Sequence, residues 1–320
     1  MRDNTILLGL NELNFDFIKF YIKKGLLPNF KRIFNIQPPI ETTSEKEYKL
    51  LEPWVQWVTI HSGKSFKAHN IFRLGDIVNY PKVKQIFEEL EDEGLSVGAV
   101  SPFNAENRLN NPAYFIPDPW TNTEPSGNWI VKALYLAVHQ AVNDNAKTKL
   151  NIKSMISLGL GLLLYVPTSR WFHYVKTVLK AKNPGAKAVF LDSLLADIHL
   201  TLWKKYKPDF SNLFLNSGAH IQHHYLFNSK AYQGDLKNPD WYCPDGFDPL
   251  IQILTEYDYQ IGEILKLEDV KLIIATGLHQ QPHERLTFYW RLKEHVKFGE
   301  MIGIEKFLEI LPRMSRDFLV

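Results

Sequence analysis

The chain of 320 residues has a single cysteine, Cys243, so no disulfide can close within it. That count fits a reducing compartment, and a cytoplasmic location is the expectation. A signal-peptide core is also missing: the first apolar run, Ile6 to Leu10, is five residues long and ends in polar residues. It reads as a buried first strand. A second apolar run, MISLGLGLLLYV at 155–166, spans twelve residues before Pro167, short of the roughly 20 that a membrane-spanning helix needs. It reads as a buried or interfacial helix. Trp171, Phe172 and Tyr174 follow at once, which makes peripheral membrane contact an expectation. Strong charge of one sign is lacking too. The formal net charge is +2, and segments such as KVKQIFEELEDEG mix both signs, which argues against nucleic acid as the main partner. There is no repeat and no low-complexity tract, and the sequence sets no oligomeric state. What is present is 45% apolar and 13% aromatic content, enough to bury a large core.

Strand and helix signals alternate along the chain. TILLGL is followed by the amphipathic FDFIKFYIKKG, closed by Gly25, and LLPNFKRIF begins another turn. WVTIHSG lies between a proline and a glycine and is placed as a strand. KVKQIFEELEDEG and LSVGAV form a helix and a strand joined at a glycine stop. SNLFLNSG and VKLIIATG are two further short apolar runs, with PLIQILTEYDYQIGEILKL as an amphipathic helix between them. Such alternation implies a mostly parallel sheet covered on both faces, with ligands bound beyond the carboxyl ends of the strands. Residues 122–195 depart from it as successive helices, read as an insertion or cap within one domain of residues 1–320.

The polar residues directly after the strands are therefore the candidates. They are Asn11, Glu12 and Asn14, then Glu52, Gln56, Thr59, His61 and Ser62. His220, His223 and His224 follow SNLFLNSG, and His279, Gln280, Gln281 and His283 follow VKLIIATG. Thr59 and His61, two apart in a strand, would share one side as nucleophile and base. His220 and His223, three apart, would share one face of a helix and could hold a zinc-like ion with Glu12, His279 or His283. The plainer alternative packs these histidines against the following helix. Glu12 and Glu52 are displaced metal ligands, general bases, or helix N-terminal charges. Thr42, Thr43 and Ser44 are further hydroxyls. Trp54 and Trp57 are assigned to the core, with a sugar-stacking platform as the alternative. Gln280 and Gln281 hydrogen-bond a polar ligand or line the strand end, Asn11 and Gln56 are further ligand-binding candidates, and Arg285, Arg291, Arg313 and Arg316 are placed to grip phosphate or sulfate.

The ordered series of segments resembles the alkaline phosphatase superfamily, in its type I phosphodiesterase and nucleotide pyrophosphatase branch. GLNELNFDFIKFYIKKGLLPNFKRI is similar to that family's opening strand, turn and helix, and EPWVQWVTIHSGKSFKAHNI to its nucleophile region. FLNSGAHIQHHYLF resembles its Asp-x-x-x-His segment, and KLIIATGLHQ its Ser-Asp-His-Gly segment. The likeness covers residues 1–110 and 205–285. It implies an α/β fold, an alkaline-phosphatase-like three-layer sandwich with a mostly parallel central sheet and a helical insertion. It also implies a phosphate- or sulfate-ester hydrolase or transferase using divalent metal, zinc first, on a small-molecule, glycan or nucleotide-linked ester. The family's motif positions fall on Asn11, on Pro53 or its neighbours, on Ala219 and His223, and on Gly277 and Leu278, and the glycine of its His-Gly-Ile falls on Asn70. Most anionic ligands are thus replaced, which implies one ion or none. A non-catalytic relative that binds an anionic ligand or a protein partner is the alternative.

Overall fold

A computed structural model describes residues 4–143, 151–288, 292, 294–304, 311–312 and 318–319. In chain order, β1 (Asn4–Leu10) leads into α1 (Phe15–Lys23), α2 (Pro28–Ile36), α3 (Pro53–Ser62), α4 (Phe66–His69) and α5 (Ile86–Asp92). Strands β2 (Val97–Val100) and β3 (Tyr114–Ile116) precede α6 (Trp129–Asn143), α7 (Ile152–Tyr165), α8 (Trp171–Leu179) and the long α9 (Ala186–Tyr206). Then come β4 (Phe210–Leu215), α10 (Ser217–Tyr225), α11 (Pro249–Ile264), β5 (Val270–Ala275) and α12 (His295–Met301). The sheet order is β3-β2-β4-β1-β5, with every pairing in it parallel.

The fold class is α/β, with a parallel central sheet between two helical layers. The period-two alternation of strand side chains builds the layers. Ile6, Leu8 and Leu10 of β1, with Leu213 and Leu215 of β4, enter one core with α9 and α11. Leu7, Phe210, Val97 and Ala99 point the other way and pack with Phe87 of α5. Central strands buried on both faces read as continuous apolar runs, as TILLGL and SNLFLNSG do.

One expectation is corrected here. WVTIHS lies within α3, a helix that starts with Pro53 at its first turn and is capped by Gly63 in the left-handed region, φ 64°. Those are the start and stop signals of a helix. The segment looked like a strand because Val55, Trp57 and Val58 are all buried, leaving little polar face to reveal a 3.6-residue period. α3 sits against β1 at Gly9, where a Cβ would lie 2.7 Å from Cη2 of Trp57. The glycine lets the indole lie directly on the strand, fully buried.

Helices α6, α7 and α8 fall within the 122–195 segment; position 195 itself lies inside α9, which packs on β2 and β4. Arg170, between α7 and α8, is buried and joins this segment to the main layer. Its Nε is 3.2 Å from Asp197 Oδ2 of α9, its Nη2 binds Glu256 of α11, and its guanidinium lies 4.3 Å from the Tyr259 ring centre.

Candidate functional site

The parallel register brings the carboxyl ends of β1, β4 and β5 side by side, Leu10 beside Leu215 and Gly9 beside Ala275. The chain turns sharply after β1. Glu12 adopts φ 55°, in the left-handed region that a residue with a Cβ enters at a cost of about 1–2 kcal/mol. Hydrogen bonds hold it there. Its N–H donates to Thr276 O at 2.8 Å, and its carbonyl accepts from Gln222 Nε2 at 2.8 Å and from Gln280 N at 3.3 Å. Gln222 in turn accepts from Asn14 N, while Asn14 caps α1 and donates to Gln280 O at 2.8 Å.

This turn buries the Glu12 carboxylate among donors. Oε1 accepts from Asn11 Nδ2 at 3.3 Å, Oε2 accepts from Gln280 Nε2, and His223 Nε2 of α10 stands 3.2 Å from Oε2. Burial alone would raise the pKa of Glu12, but His223, Gln280 and Asn11 more than offset it and hold the carboxyl below its ordinary range. Glu52, at the start of α3, is shifted the other way, first by burial and then by the negative charge of Glu12. His223 Nε2 is also 2.8 Å from Gln280 Nε2. One imidazole nitrogen thus has two uses: protonated, it donates to Glu12; unprotonated, it accepts from Gln280.

Asn11 stands where the resembled family has its first metal-binding aspartate. Its amide orientation is decided by Trp57, whose Nε1, a donor only, is 2.7 Å from Asn11 Oδ1. The Nδ2 group therefore faces the rim, where it donates to Asn216 Oδ1 at 2.8 Å as well as to Glu12. A pair of N–H donors occupies the place where a cation would need oxygen. Among the described residues no group of three or more His, Cys, Asp or Glu is gathered to hold a metal ion. One carboxylate and one imidazole do not fit a pair of dications held close together, because too little negative charge faces them. Nothing in the donor set selects zinc; Cys243, the only thiol, is buried with Sγ directed at Phe247 O.

Of the residues expected from sequence, Asn11, Glu12, His223 and Gln280 meet at this rim, with Glu52 close enough to feel the charges of Glu12 and His223. His220 and His223 do share a helix, but the His220 ring lies 4.5 Å from that of His224, itself bonded to Tyr242. His279, His283 and Arg285 are exposed and make none of the hydrogen bonds that join the cluster. Gln56 is buried and donates to Leu50 O at 3.1 Å, supporting the loop before α3. Arg291, Arg313 and Arg316 lie outside the described residues. Thr42, Thr43 and Ser44 sit on an exposed loop, and Ser62 bonds back to Val58 O within its helix.

The pairing of Thr59 with His61 is corrected by the helix, where residues two apart point about 160° away from each other. His61 is buried between Trp57 and Phe87, and neither ring nitrogen has a hydrogen-bond partner. Burial pushes its pKa down to about 3. Thr59 meets His69 instead, with Oγ1 and Nε2 3.2 Å apart. His69 Nδ1 accepts from Ile71 N at 3.0 Å, so the neutral ring carries its proton on Nε2 and donates to Thr59. That polarity is opposite to what a base activating a nucleophile requires.

Sequence reasoning missed Gln222, Asn216 and the orienting part of Trp57. Gln222 lies beside His223, and its spacing gave no sign that it would brace a turn some two hundred positions away.

No family model matches the chain, and no curated protein matches it. Among solved structures, a phosphonoacetate hydrolase from Sinorhizobium meliloti 1021, in complex with phosphonoformate, is similar at 14% identity and a TM-score of 0.46. The match covers 86% of this chain and 56% of that one, so the chain spans little more than half the length of the hydrolase that it matches.

Proposed function

We propose that this chain is an alkaline-phosphatase-like hydrolase that cleaves a phosphate or sulfate ester by general acid–base chemistry at the rim formed by Glu12, His223, Gln280 and Glu52. One observation carries the reading: two carboxylates at one strand-end rim are shifted in opposite directions, with an imidazole 3.2 Å from the ionised one. Neighbouring groups driven apart in this way are the pattern of a paired acid and base. Glu12 holds the His223 proton on Nε2 and leaves Nδ1 to take a proton from water. The water oxygen attacks phosphorus or sulfur and the ester bond breaks. Glu12 stabilises the imidazolium so formed, and Glu52 passes its proton to the departing oxygen. Gln280 supplies a donor beside the reacting group.

A second reading has its own support. The resemblance puts the family's nucleophile position on Pro53 or its neighbours, and Asn11 is locked with donors outward, as expected of a relative that keeps the fold to bind an anionic ligand. Nitrophenol release from nitrophenyl phosphate, bis-nitrophenyl phosphate and nitrophenyl sulfate, with and without chelator, separates the two. The hydrolase reading expects turnover that survives chelation and falls by about a hundredfold or more in His223→Ala and Glu12→Gln. Absence of turnover on all three esters, together with binding of inorganic phosphate or sulfate, would establish the binder.

A further inference from the structure

The helical segment between β3 and β4 carries a surface that the rest of the fold leaves uncovered. α7 is largely apolar: Ser154, Gly161 and Tyr165 are buried, while Ile152, Met155, Ile156 and Leu163 lie on the opposite face and are exposed. α8 repeats the arrangement. Tyr174 and His173 bond inward to Asp197 and Ser193 of α9, whereas Trp171, Phe172, Val175, Val178 and Leu179 form one exposed stripe, with Phe172 78% and Leu179 82% exposed. Both helices pack on α9, so both stripes face away from the sheet.

The charge of this segment singles out an occupant. Besides the buried and paired Arg170, residues 129–190 hold eight lysines against one acidic residue, Asp144, in a chain whose net charge is only +2. Lys153, Lys176, Lys180, Lys182 and Lys187 are exposed around the stripes, while Lys147 and Lys149 lie outside the described residues. A second copy meeting this face with its own would bring like charges together, whereas an anionic leaflet satisfies the apolar stripes and the lysines at once. The backbone decides how the segment would lie. No single helix among the described residues is long and apolar enough to cross a bilayer, and α7 meets the Thr168–Leu179 segment at a bend of 119°. Arg170 pins that corner to Asp197 and Glu256.

We propose that α7 and α8 form a monotopic anchor that seats this protein on an anionic lipid surface, apolar stripes in the headgroup boundary and lysines on the phosphates. The test is flotation with vesicles of phosphatidylcholine alone and of phosphatidylcholine with phosphatidylglycerol. Light scattering gives the oligomeric state, and circular dichroism checks the fold of each variant. Salt-sensitive binding to the phosphatidylglycerol vesicles is expected. It should weaken about tenfold or more in Phe172→Glu/Leu179→Glu and about fivefold for each of Lys176→Gln and Lys180→Gln. The lysine variants leave the apolar stripe intact and so keep the test decisive if the double glutamate variant misfolds. Failure to bind either vesicle, binding indifferent to lipid charge and to the lysines, or a dimer that Phe172→Glu/Leu179→Glu dissolves without any vesicle binding would overturn the proposal.

Discussion

Trp57 Nε1 stands 2.7 Å from Asn11 Oδ1, and this one contact decides which way the amide at the head of the rim faces. Gly9 admits the indole to the strand surface, and Gly277 leaves room on its other side, where a Cβ would lie 2.8 Å from Nε1. Trp57→Phe removes the donor and leaves a buried acceptor unpaired. A loss of about 1–3 kcal/mol beyond that of the smaller ring is expected, measured by urea unfolding. Asn11→Ala in the same background recovers that part of the loss if the contact is its source.

Asn11→Asp replaces the rim-facing donors with a carboxylate oxygen beside Glu12. Without metal the variant is expected to be less stable than the parent by about 1–3 kcal/mol, because the new charge opposes Glu12 and loses the donor to Asn216. Divalent cations should restore it. At about 100 times the dissociation constant the gain is about 2.7 kcal/mol, read as a rise in melting temperature that the parent does not show.

Much of the layout was legible in the sequence because it rests on short-range physics. The continuous apolar runs of β1, β2 and β4 and the amphipathic faces of α1 and α11 show directly in the sequence, and Gly25 marks the end of α1. α3 was misplaced because burial on nearly all sides removes the polar face from which a period is read. At the rim, Asn11, Glu12, His223 and Gln280 could be named from their position after strands. The orientation of Asn11 depends on a tryptophan 46 positions away, and that pairing exists only once α3 lies on β1.

His61 links stability to acidity. Its folded pKa of about 3 lies below the ordinary 6.5, so between those values the unfolded chain binds a proton that the folded one does not. Stability therefore falls as the pH drops from about 6.5 toward 3. His199, also buried and near 3, adds to the loss in the same window. His61→Phe should be as stable as the parent or more so at neutral pH, since two unpartnered ring nitrogens leave the core. It should also flatten the acid limb by several kcal/mol, on the order of 4, measured as melting temperature against pH.

Glu12 and Glu52 should separate on titration. The lowered folded pKa of Glu12 contributes stability above the ordinary carboxylate range, and this is lost as pH falls through the folded value, below 4.5. Glu52 is raised, so its ionised form costs stability at neutral pH, and that cost is relieved on acidification. Glu12→Gln is expected to lower the melting temperature at neutral pH, and Glu52→Gln is not. Carboxylate signals followed by NMR should show Glu52 protonating first.

Arg170→Ala leaves Asp197 and Glu256 buried without their cation. A loss of about 3–5 kcal/mol is expected in thermal or urea unfolding. Arg170→Lys should recover only part of it, since a single ammonium cannot bridge both carboxylates while lying on Tyr259.

The left-handed turn at Glu12 keys three separate stretches of chain to a single residue: the exit of β5 through Thr276 and Gln280, α10 through Gln222, and β1 itself. Occupancy that displaces any one of them must loosen or tighten the other two in concert. Amide exchange at this one backbone position is thus a gauge for the whole edge, slowed by a molecule that tightens it and quickened by one that loosens it.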